Sequence, residues 1–171
     1  REREFDAGLY KVEAIVHDAV SDKASARFST IERPVFDPRT LRSSNLVIVG
    51  SAERVSARDR PAGSPFLVGD RLLYPNLGEP LRKSTTPEIG FFFTVYPANG
   101  PKPEATVEVL QNGTALARLP LPLADPDAAG RIQQVSRLPA GALSPNTYEL
   151  RIVVIQGQQK VSQSAIFRLV D

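Results

Sequence analysis

Fifteen prolines and eleven glycines interrupt this 171-residue sequence every few positions, and they constrain its fold more than any other feature. A proline inside a helix costs about 3 kcal/mol, so long helices are disfavoured. The segments between these breaks are short and rich in Val, Ile, Phe, Tyr and Thr, which is the composition of β-strands. Their regular spacing, with turn residues at each boundary, predicts an all-β protein with an antiparallel sandwich or barrel.

Two segments near opposite ends of the chain share one pattern. Apolar residues occupy every second position in 10–16 and again in 148–154. In each case a polar loop follows, and then a second segment that carries Phe28 or Phe167. A period of two is typical of a half-buried antiparallel strand. Each copy therefore predicts a β-hairpin of the kind that closes a β-sandwich.

The two copies predict the organisation of the chain into domains. The later copy follows enough residues to complete a sandwich, whereas only nine residues precede Tyr10. We predict that residues 1–36 form a β-hairpin that resembles the end of an upstream sandwich, that residues 37–44 form a proline-containing linker, and that residues 45–171 form an immunoglobulin-like β-sandwich.

The first hairpin is too small to be stable alone. An isolated two-stranded hairpin is marginal in water, so we expect it to pack on the main domain or across a dimer. Loose order is the remaining alternative. Because the sequence contains no Met, we also expect Arg1 to follow a removed or excised segment.

The segment Glu88–Tyr96 has the strongest strand pattern. Its alternate positions are apolar on both faces, which favours a central strand covered on both sides. A second interpretation places Phe92 and Tyr96 in an interface with the first hairpin or a partner protein. Tyr74 joins them as a candidate interface residue, since an exposed tyrosine can also stack on a sugar ring.

A further hairpin is predicted around Asn112 and Gly113. Both residues tolerate the positive φ angles that a type I′ turn requires. A two-residue loop places Val109 opposite Leu116, but the neighbouring pairs in this register are imperfect. The sequence therefore also predicts a bulge in this hairpin.

Catalytic and metal-binding patterns are missing from the sequence. There is no Cys and only one histidine, His17, so the usual metal clusters and cysteine nucleophiles do not form. We therefore expect no enzyme activity, no cofactor and no metal site. Asp18 and Asp22 offer oxygen ligands for Ca²⁺, and Asp125 and Asp127 do the same. Asp residues in loops more often accept hydrogen bonds from their own backbone, and we favour that interpretation.

The charge pattern argues against nucleic acid. The net charge is +2, and the arginines are separated by acids and prolines instead of forming one basic face with stacking aromatics. No apolar run approaches the roughly 18 residues of a membrane span, so we expect no transmembrane segment in this chain.

Both hairpin copies carry a phrase that resembles the ends of immunoglobulin-like units in certain bacterial proteins. The phrase is G-x-Y-x-V-x-x-x-V-x-D; the closing copy keeps Tyr148, Leu150 and Val154 but has Gln156 in place of its Asp. The matching residues of the opening copy are Gly8, Tyr10, Val12, Val16 and Asp18. The chain resembles the C-terminal sandwich of von Willebrand factor A-related and GWxTD-type multidomain proteins. That resemblance implies an exported protein, and the metal motif D-x-S-x-S of the A domain does not occur here.

These observations together predict a noncatalytic interaction or structural module. We expect it to be extracytoplasmic, whether periplasmic, secreted or on the cell surface, and to bind a protein through loops or a sheet edge. A dimer through the N-terminal hairpin is a further expectation. The alternative function is a carbohydrate-binding or accessory module of a secreted enzyme.

Overall fold

The computed structural model describes residues 5–33, 35, 37–61 and 63–171, and every regular element in these residues is a β-strand. The chain divides into two compact units, Arg1–Asp37 and Pro38–Asp171. The strands are β1 (Gly8–Asp18), β2 (Lys23–Arg33), β3 (Arg42–Ser43), β4 (Val47–Arg54), β5 (Leu67–Val68), β6 (Arg71–Pro75), β7 (Leu81–Arg82), β8 (Glu88–Tyr96), β9 (Glu104–Gln111), β10 (Thr114–Leu121), β11 (Ile132–Pro139), β12 (Asn146–Gln156) and β13 (Gln159–Val170). The all-β prediction is confirmed.

The first unit is the hairpin β1–β2. Its register runs without a break from the pair Gly8 and Arg33 to the pair Asp18 and Lys23. Asp18 closes the turn by accepting hydrogen bonds from the Val20 N–H at 2.9 Å and from the Ser21 hydroxyl at 2.6 Å. These bonds hold the pKa of Asp18 below its ordinary value. The turn interpretation of Asp18 therefore matches the observed geometry.

The second unit is a sandwich of two sheets. One sheet has the strand order β10-β9-β12-β13-β7, and the other has the order β11-β8-β4-β6-β5, with β3 also paired to β8. All of these pairs are antiparallel except β13 with β7. The apolar side chains of the inner faces form one core between the two sheets.

Strand β8 lies at the centre of its sheet. It pairs with β11 on one side and with β3 and β4 on the other. Phe91 and Phe93 are buried in the core, while Phe92 is 3% exposed and packs edge-to-face against Phe66 with 6.2 Å between ring centroids. Both faces of β8 are covered, which the alternating apolar pattern predicts.

Tyr148, near the start of β12, connects the strand to the loop before it. Its hydroxyl donates a hydrogen bond to the carbonyl of Ser144 at 2.8 Å, and its ring stacks on that of Phe167 with 5.5 Å between the ring centroids. The first unit repeats the hydrogen bond with the same four-residue spacing, since Tyr10 donates to the carbonyl of Asp6 at 2.7 Å. The two hairpins therefore share a local contact as well as an alternating pattern.

The observed strand register changes one correspondence that the sequence suggests between the two hairpins, namely that Phe28 matches Phe167. Tyr148 lies opposite Phe167, but Tyr10 lies opposite Ile31, and Phe28 faces Glu13. The first turn is two residues longer than the second, since four residues separate β1 from β2 and two separate β12 from β13. The longer turn makes Ile31 the residue that corresponds to Phe167. Phe28 lies three positions before Ile31, and this odd separation places it on the opposite face of the strand.

The predicted linker 37–44 contains structure of the second unit. Leu41 is 2% exposed and belongs to the core, and Arg42 and Ser43 form β3 against β8. The second unit therefore begins at Pro38 and not at residue 45. The sequence does not indicate this, because prolines surround the segment and a single buried leucine gives no periodic pattern. Residues 1–4, 34 and 36 of the predicted N-terminal segment lie outside the described residues.

The hairpin β9–β10 contains the predicted bulge. Asn112 and Gly113 have φ angles of 50° and 79°, as a type I′ turn requires. The register shifts between Ala115 and Ala117, so Val109 lies opposite Ala117 and not opposite Leu116. The shift leaves Leu116 without a cross-strand partner and places Arg118 opposite Glu108, with which it forms an ion pair.

Acid pH is expected to destabilise the sandwich in part through Glu149. The Ser164 hydroxyl donates to its carboxylate at 2.6 Å and the Arg151 guanidinium lies 2.8 Å away, so the pKa of Glu149 lies below its ordinary value. A carboxyl with a lowered folded-state pKa stabilises the fold above its unfolded pKa, and that stability is lost as pH falls through the folded pKa. Ser164→Ala should therefore reduce the stability difference between about pH 7 and about pH 3 in urea unfolding. An unchanged difference would contradict this role of Glu149.

Candidate functional site

A cleft of about 420 Å³ lies where the chain passes from β6 to β7. Tyr74 lines it, together with Leu77 and Gly50. The polar residues that line it are Ser51, Asn76, Glu79, Arg82, Thr85 and Thr86. The cleft thus combines one aromatic ring with several hydrogen-bonding groups, which is a combination suited to a polar ligand.

One asparagine organises the turn at the rim of this cleft. The Asn76 side chain accepts a hydrogen bond from the Gly78 N–H at 2.8 Å and donates to the Glu79 carbonyl at 3.0 Å. Its backbone N–H donates to the carbonyl of Ile48 at 2.8 Å. Gly78 has a φ of 103°, which favours glycine at this position. The turn presents Leu77 with 91% of its surface exposed.

Tyr74 is 42% exposed, and Glu53 on the neighbouring strand raises the pKa of its hydroxyl. The Tyr74 hydroxyl donates to the Glu53 carboxylate, and this hydrogen bond raises the pKa of Tyr74 above its ordinary value of 10.0. The carboxylate stabilises the protonated phenol, because the phenolate would be repelled by it. The hydrogen bond to Glu53 fixes the end of a side chain that lines the cleft and is 42% exposed.

Glu53→Gln is therefore expected to lower the pKa of Tyr74 towards its ordinary value. The amide removes the negative charge but keeps an oxygen that can accept the hydrogen bond. Ultraviolet absorbance of the phenolate, titrated from about pH 8 to about pH 12.5, measures the change, and Tyr74→Phe identifies the step that belongs to this residue. A Tyr74 step at the same pH in both proteins would contradict the assignment, and Glu13→Gln is the control.

The three candidate interface residues occupy different environments. Phe92 is buried beneath Phe66, so its ring is not on the surface of the unit. Tyr96 is half-buried, and the Arg42 guanidinium lies 5.1 Å from its ring centroid. Of the three, Tyr74 lines the cleft and the other two do not.

The open edge of β13 is a second candidate site. Strand β7 pairs with β13 only at Leu169 and Val170. Among the described residues, no strand covers the same edge from Gln159 to Arg168. At the start of this stretch the Gln159 side chain bonds the backbone of Arg39 and Leu41, and β13 also lies close to β3 and β4. The unpaired backbone groups of such an edge can accept a further strand.

The other long edge strands of the sandwich carry features that discourage pairing. Strand β10 contains Pro120 and the bulge at Leu116, and β11 contains Arg137 and ends at Pro139. By contrast, the segment 161–167 of β13 contains neither proline, glycine nor charge. Bulges, charges and prolines are the usual means by which proteins protect edges, so β13 is the least protected long edge of the sandwich.

The predicted acidic and histidine residues form local contacts. His17 lies 2.9 Å from the Asp22 carboxylate, and both groups are largely exposed. Asp127 accepts hydrogen bonds from the backbone of Ala129 and Arg131, which lowers its pKa and matches the turn interpretation. In the part of the chain that the structure describes, no three His, Cys, Asp or Glu residues are placed to hold a metal ion.

Sequence reasoning did not identify Leu77 or the edge of β13 as features of a site. A single leucine between Asn76 and Gly78 resembles any turn that contains one apolar residue. The edge position of β13 depends on which strands are neighbours, and periodicity carries no information about that. The strand itself is predictable, because its alternating pattern is local.

The fold defines the class of this protein as all-β, with a two-sheet sandwich as its larger unit. No protein-family model matches the sequence, and no curated protein matches it significantly. The described residues contain no helix of the length and hydrophobicity that a membrane span needs.

Proposed function

We propose that this chain is a noncatalytic interaction or structural module that binds an extended segment of a partner protein along the edge of β13. The observation that supports this proposal most directly is the unprotected edge from Val161 to Phe167. A partner strand there would continue the line that β7 begins at Leu169. Main-chain hydrogen bonds would supply much of the affinity, as in other cases of strand addition.

The charges on β13 define the chemistry of the partner. Lys160 and Arg168 flank the uncharged segment, and β13 contains no acidic residue. Ile166 lies between them on the outer face with 73% of its surface exposed. A complementary strand therefore carries carboxylates near its two ends and apolar or β-branched residues between them.

A designed peptide tests this mode of binding. The probe is a capped peptide of about ten residues, with alternating Thr and Val between two glutamates. Hydrogen exchange measured by NMR should show new protection of amides within 161–168 when the peptide is added. Protection along β10 or β11 instead, or no binding at millimolar peptide, would contradict the proposal.

A matched pair of variants separates the edge from the rest of the outer face. Ile166→Glu places a carboxylate on β13 opposite the acidic probe and should weaken binding by about tenfold or more. Ile155→Glu makes the same change on the same face, but in β12, which has a neighbour on both sides. Equal weakening by both variants would show that general charge repulsion, and not the edge, controls binding.

We further propose that the module is immunoglobulin-like and part of an exported bacterial protein of the von Willebrand factor A-related or GWxTD type. The phrase shared by the two hairpins supports this, as does the hydrogen bond from Tyr148 to the loop before its strand. The coding sequence upstream of Arg1 tests it. An export signal and an A-type domain with its D-x-S-x-S motif are expected, and a cytosolic start without either would contradict it.

Carbohydrate binding is the second candidate function, and the cleft beside Tyr74 is the observation that favours it. The exposed ring can stack on a sugar while Asn76, Glu79 and Arg82 offer hydrogen bonds to hydroxyl groups. A glycan array should then show binding that Tyr74→Ala removes and Tyr96→Ala leaves unchanged. An array without a bound glycan would exclude this function and leave the strand-binding proposal unaffected.

A further inference from the structure

We infer that one face of the β1–β2 hairpin is the inner face of a β-sandwich, and that it binds a β-sheet with large apolar side chains at alternate positions. We call it the Tyr10 face. It consists of Gly8, Tyr10, Val12, Ala14, Val16 and Asp18 of β1 and of Lys23, Ser25, Arg27, Ser29, Ile31 and Arg33 of β2, so its middle is largely uncharged and its two ends carry charges. The inference rests on the correspondence between β1–β2 and the closing hairpin β12–β13.

The two hairpins correspond pair by pair. Each contains eleven consecutive cross-strand pairs next to the turn, from Gly8 to Asp18 in one and from Asn146 to Gln156 in the other. In each, the tyrosine occupies the third pair and donates to the carbonyl four residues before it. The Tyr10 face therefore corresponds to the face of β12–β13 that carries Tyr148.

The corresponding faces differ in what covers them. In β12 the face is covered by the opposite sheet, and Leu150, Ile152 and Val154 are 0% exposed. In the first unit Val16 is 70% exposed and Ile31 is 54% exposed. Exposed apolar side chains on one side of a two-stranded sheet contribute little stability until another layer removes them from water.

The opposite sheet of the second unit shows which chemistry covers such a face. Its central strand β8 contributes Ile89, Phe91, Phe93 and Val95 to the shared core. We therefore assign the Tyr10 face a partner of the same kind, a sheet with aromatic and branched aliphatic side chains at every second position. Arg27 corresponds to the half-buried Gln163, and its long side chain can reach solvent from that position.

The other face of β1–β2 has the character of an outer face. It carries the ion pair between Lys11 and Glu13, as the outer face of β12 carries the pair between Glu149 and Arg151. This face also exposes Leu9, Ile15 and Phe28, and the outer face of the closing hairpin likewise exposes Ile155 and Ile166, so exposed apolar residues do not distinguish the two faces. The Arg27 side chain is long enough to reach solvent from beneath a second sheet, whereas covering the shorter Glu13 carboxylate would be costly.

Exchange of the hairpins within the full chain tests the inference. Residues 146–169 are replaced by residues 8–33, so that the transplanted Tyr10 follows Ser144 with the spacing of Tyr148. Because the chain lacks Cys, single thiols report burial directly. Val12→Cys in the transplanted hairpin should react with a thiol reagent at least about tenfold more slowly than Glu13→Cys, and the chain should unfold cooperatively.

Equal reactivity of the two thiols in a folded exchange variant would overturn the inference. If this variant does not fold, a second one adds Ala14→Ile, Asp18→Gln, Arg27→Gln and Arg33→Leu, which restore the residues found at Ile152, Gln156, Gln163 and Leu169. Failure of both variants to fold would also overturn it, because a hairpin of the same kind should then be accepted by the same sheet.

The intact chain distinguishes a second copy from the assigned partner. Val12→Cys and Glu13→Cys are labelled in the 171-residue protein over a wide range of protein concentration. If Val12→Cys becomes protected as the concentration rises while Glu13→Cys does not, two Tyr10 faces cover each other, and the assignment to an apolar sandwich sheet is overturned. Concentration-independent labelling of both thiols supports it.

Discussion

Replacing Phe93 with alanine is expected to lower the free energy of unfolding of the sandwich by about 3–5 kcal/mol. The Phe93 side chain is 0% exposed and lies in the core between the two sheets. Truncation removes most of a buried aromatic ring and leaves a cavity that the central strand β8 cannot close, because its neighbours on both sides fix its backbone. Urea unfolding followed by circular dichroism measures the loss.

The control for Phe93→Ala is Ile166→Ala in the same unit. Ile166 is 73% exposed on β13, so the loss there should stay below about 1 kcal/mol. Comparable losses in the two variants would show that the two-sheet core does not determine the stability of the unit. A small loss in Ile166→Ala would also establish that residue 166 can be changed without unfolding the protein, which the binding experiment on the β13 edge requires.

Gln156→Leu is expected to destabilise the sandwich by about 2–4 kcal/mol, although leucine is more apolar than glutamine. The buried Gln156 amide accepts a hydrogen bond from the Ala98 N–H at 2.8 Å and donates to the carbonyls of Ala98 and Pro101, each at 2.8 Å. Leucine leaves these backbone groups without their partner, and an unsatisfied buried group costs about 1–3 kcal/mol.

The matched control for Gln156→Leu is Gln133→Leu. Gln133 is half-buried on β11 and follows the core residue Ile132, so its side chain lies on the outer face. The same substitution there should change the free energy of unfolding by less than about 1 kcal/mol. Stabilisation by Gln156→Leu would mean that hydrophobic burial outweighs the three hydrogen bonds, and it would contradict the prediction. Chemical denaturation of both variants provides the comparison.

These two residues explain a difference between the repeated hairpins. Asp18 and Gln156 occupy the same position at the end of the first strand, next to the turn. Asp18 binds backbone and side-chain donors of its own turn, whereas Gln156 binds a separate loop that follows β8. Comparison of the two sequences shows only that one copy has Asp where the other has Gln. The contacts show that this position bonds its own turn in the first hairpin and a distant loop in the second.

The proposals for β13 and for the Tyr10 face concern different parts of the sheet architecture. Binding at β13 uses the backbone at a sheet edge, so it depends on unpaired N–H and C=O groups. Binding at the Tyr10 face uses side chains perpendicular to the sheet, so it depends on apolar area removed from water. The tests are therefore independent, and the failure of one leaves the other intact.

Local properties of the sequence were sufficient to predict the two similar hairpins, the strand β8 and the turn at Asn112-Gly113, but not the two-residue strands β3, β5 and β7. Proline and glycine positions excluded long helices, period-two alternation marked β8 and β12, and Asn112-Gly113 marked a turn with positive φ angles. Each of these follows from backbone sterics or from alternate burial within a few residues. The repeated hairpin was predictable for the same reason.

The tertiary structure decided the features that depend on residues distant in the chain. It placed Leu41 in the core, gave β9–β10 a register shifted by a bulge and buried Phe92 beneath Phe66. Among the described residues, it also left the edge of β13 from Val161 to Arg168 without a paired strand. Periodicity shows that a strand has two faces, but burial of a face and pairing of an edge depend on contacts that the folded chain brings together. The sequence alone therefore determined an all-β chain with two similar hairpins, and the packing of the sheets decided which surfaces remain available for binding.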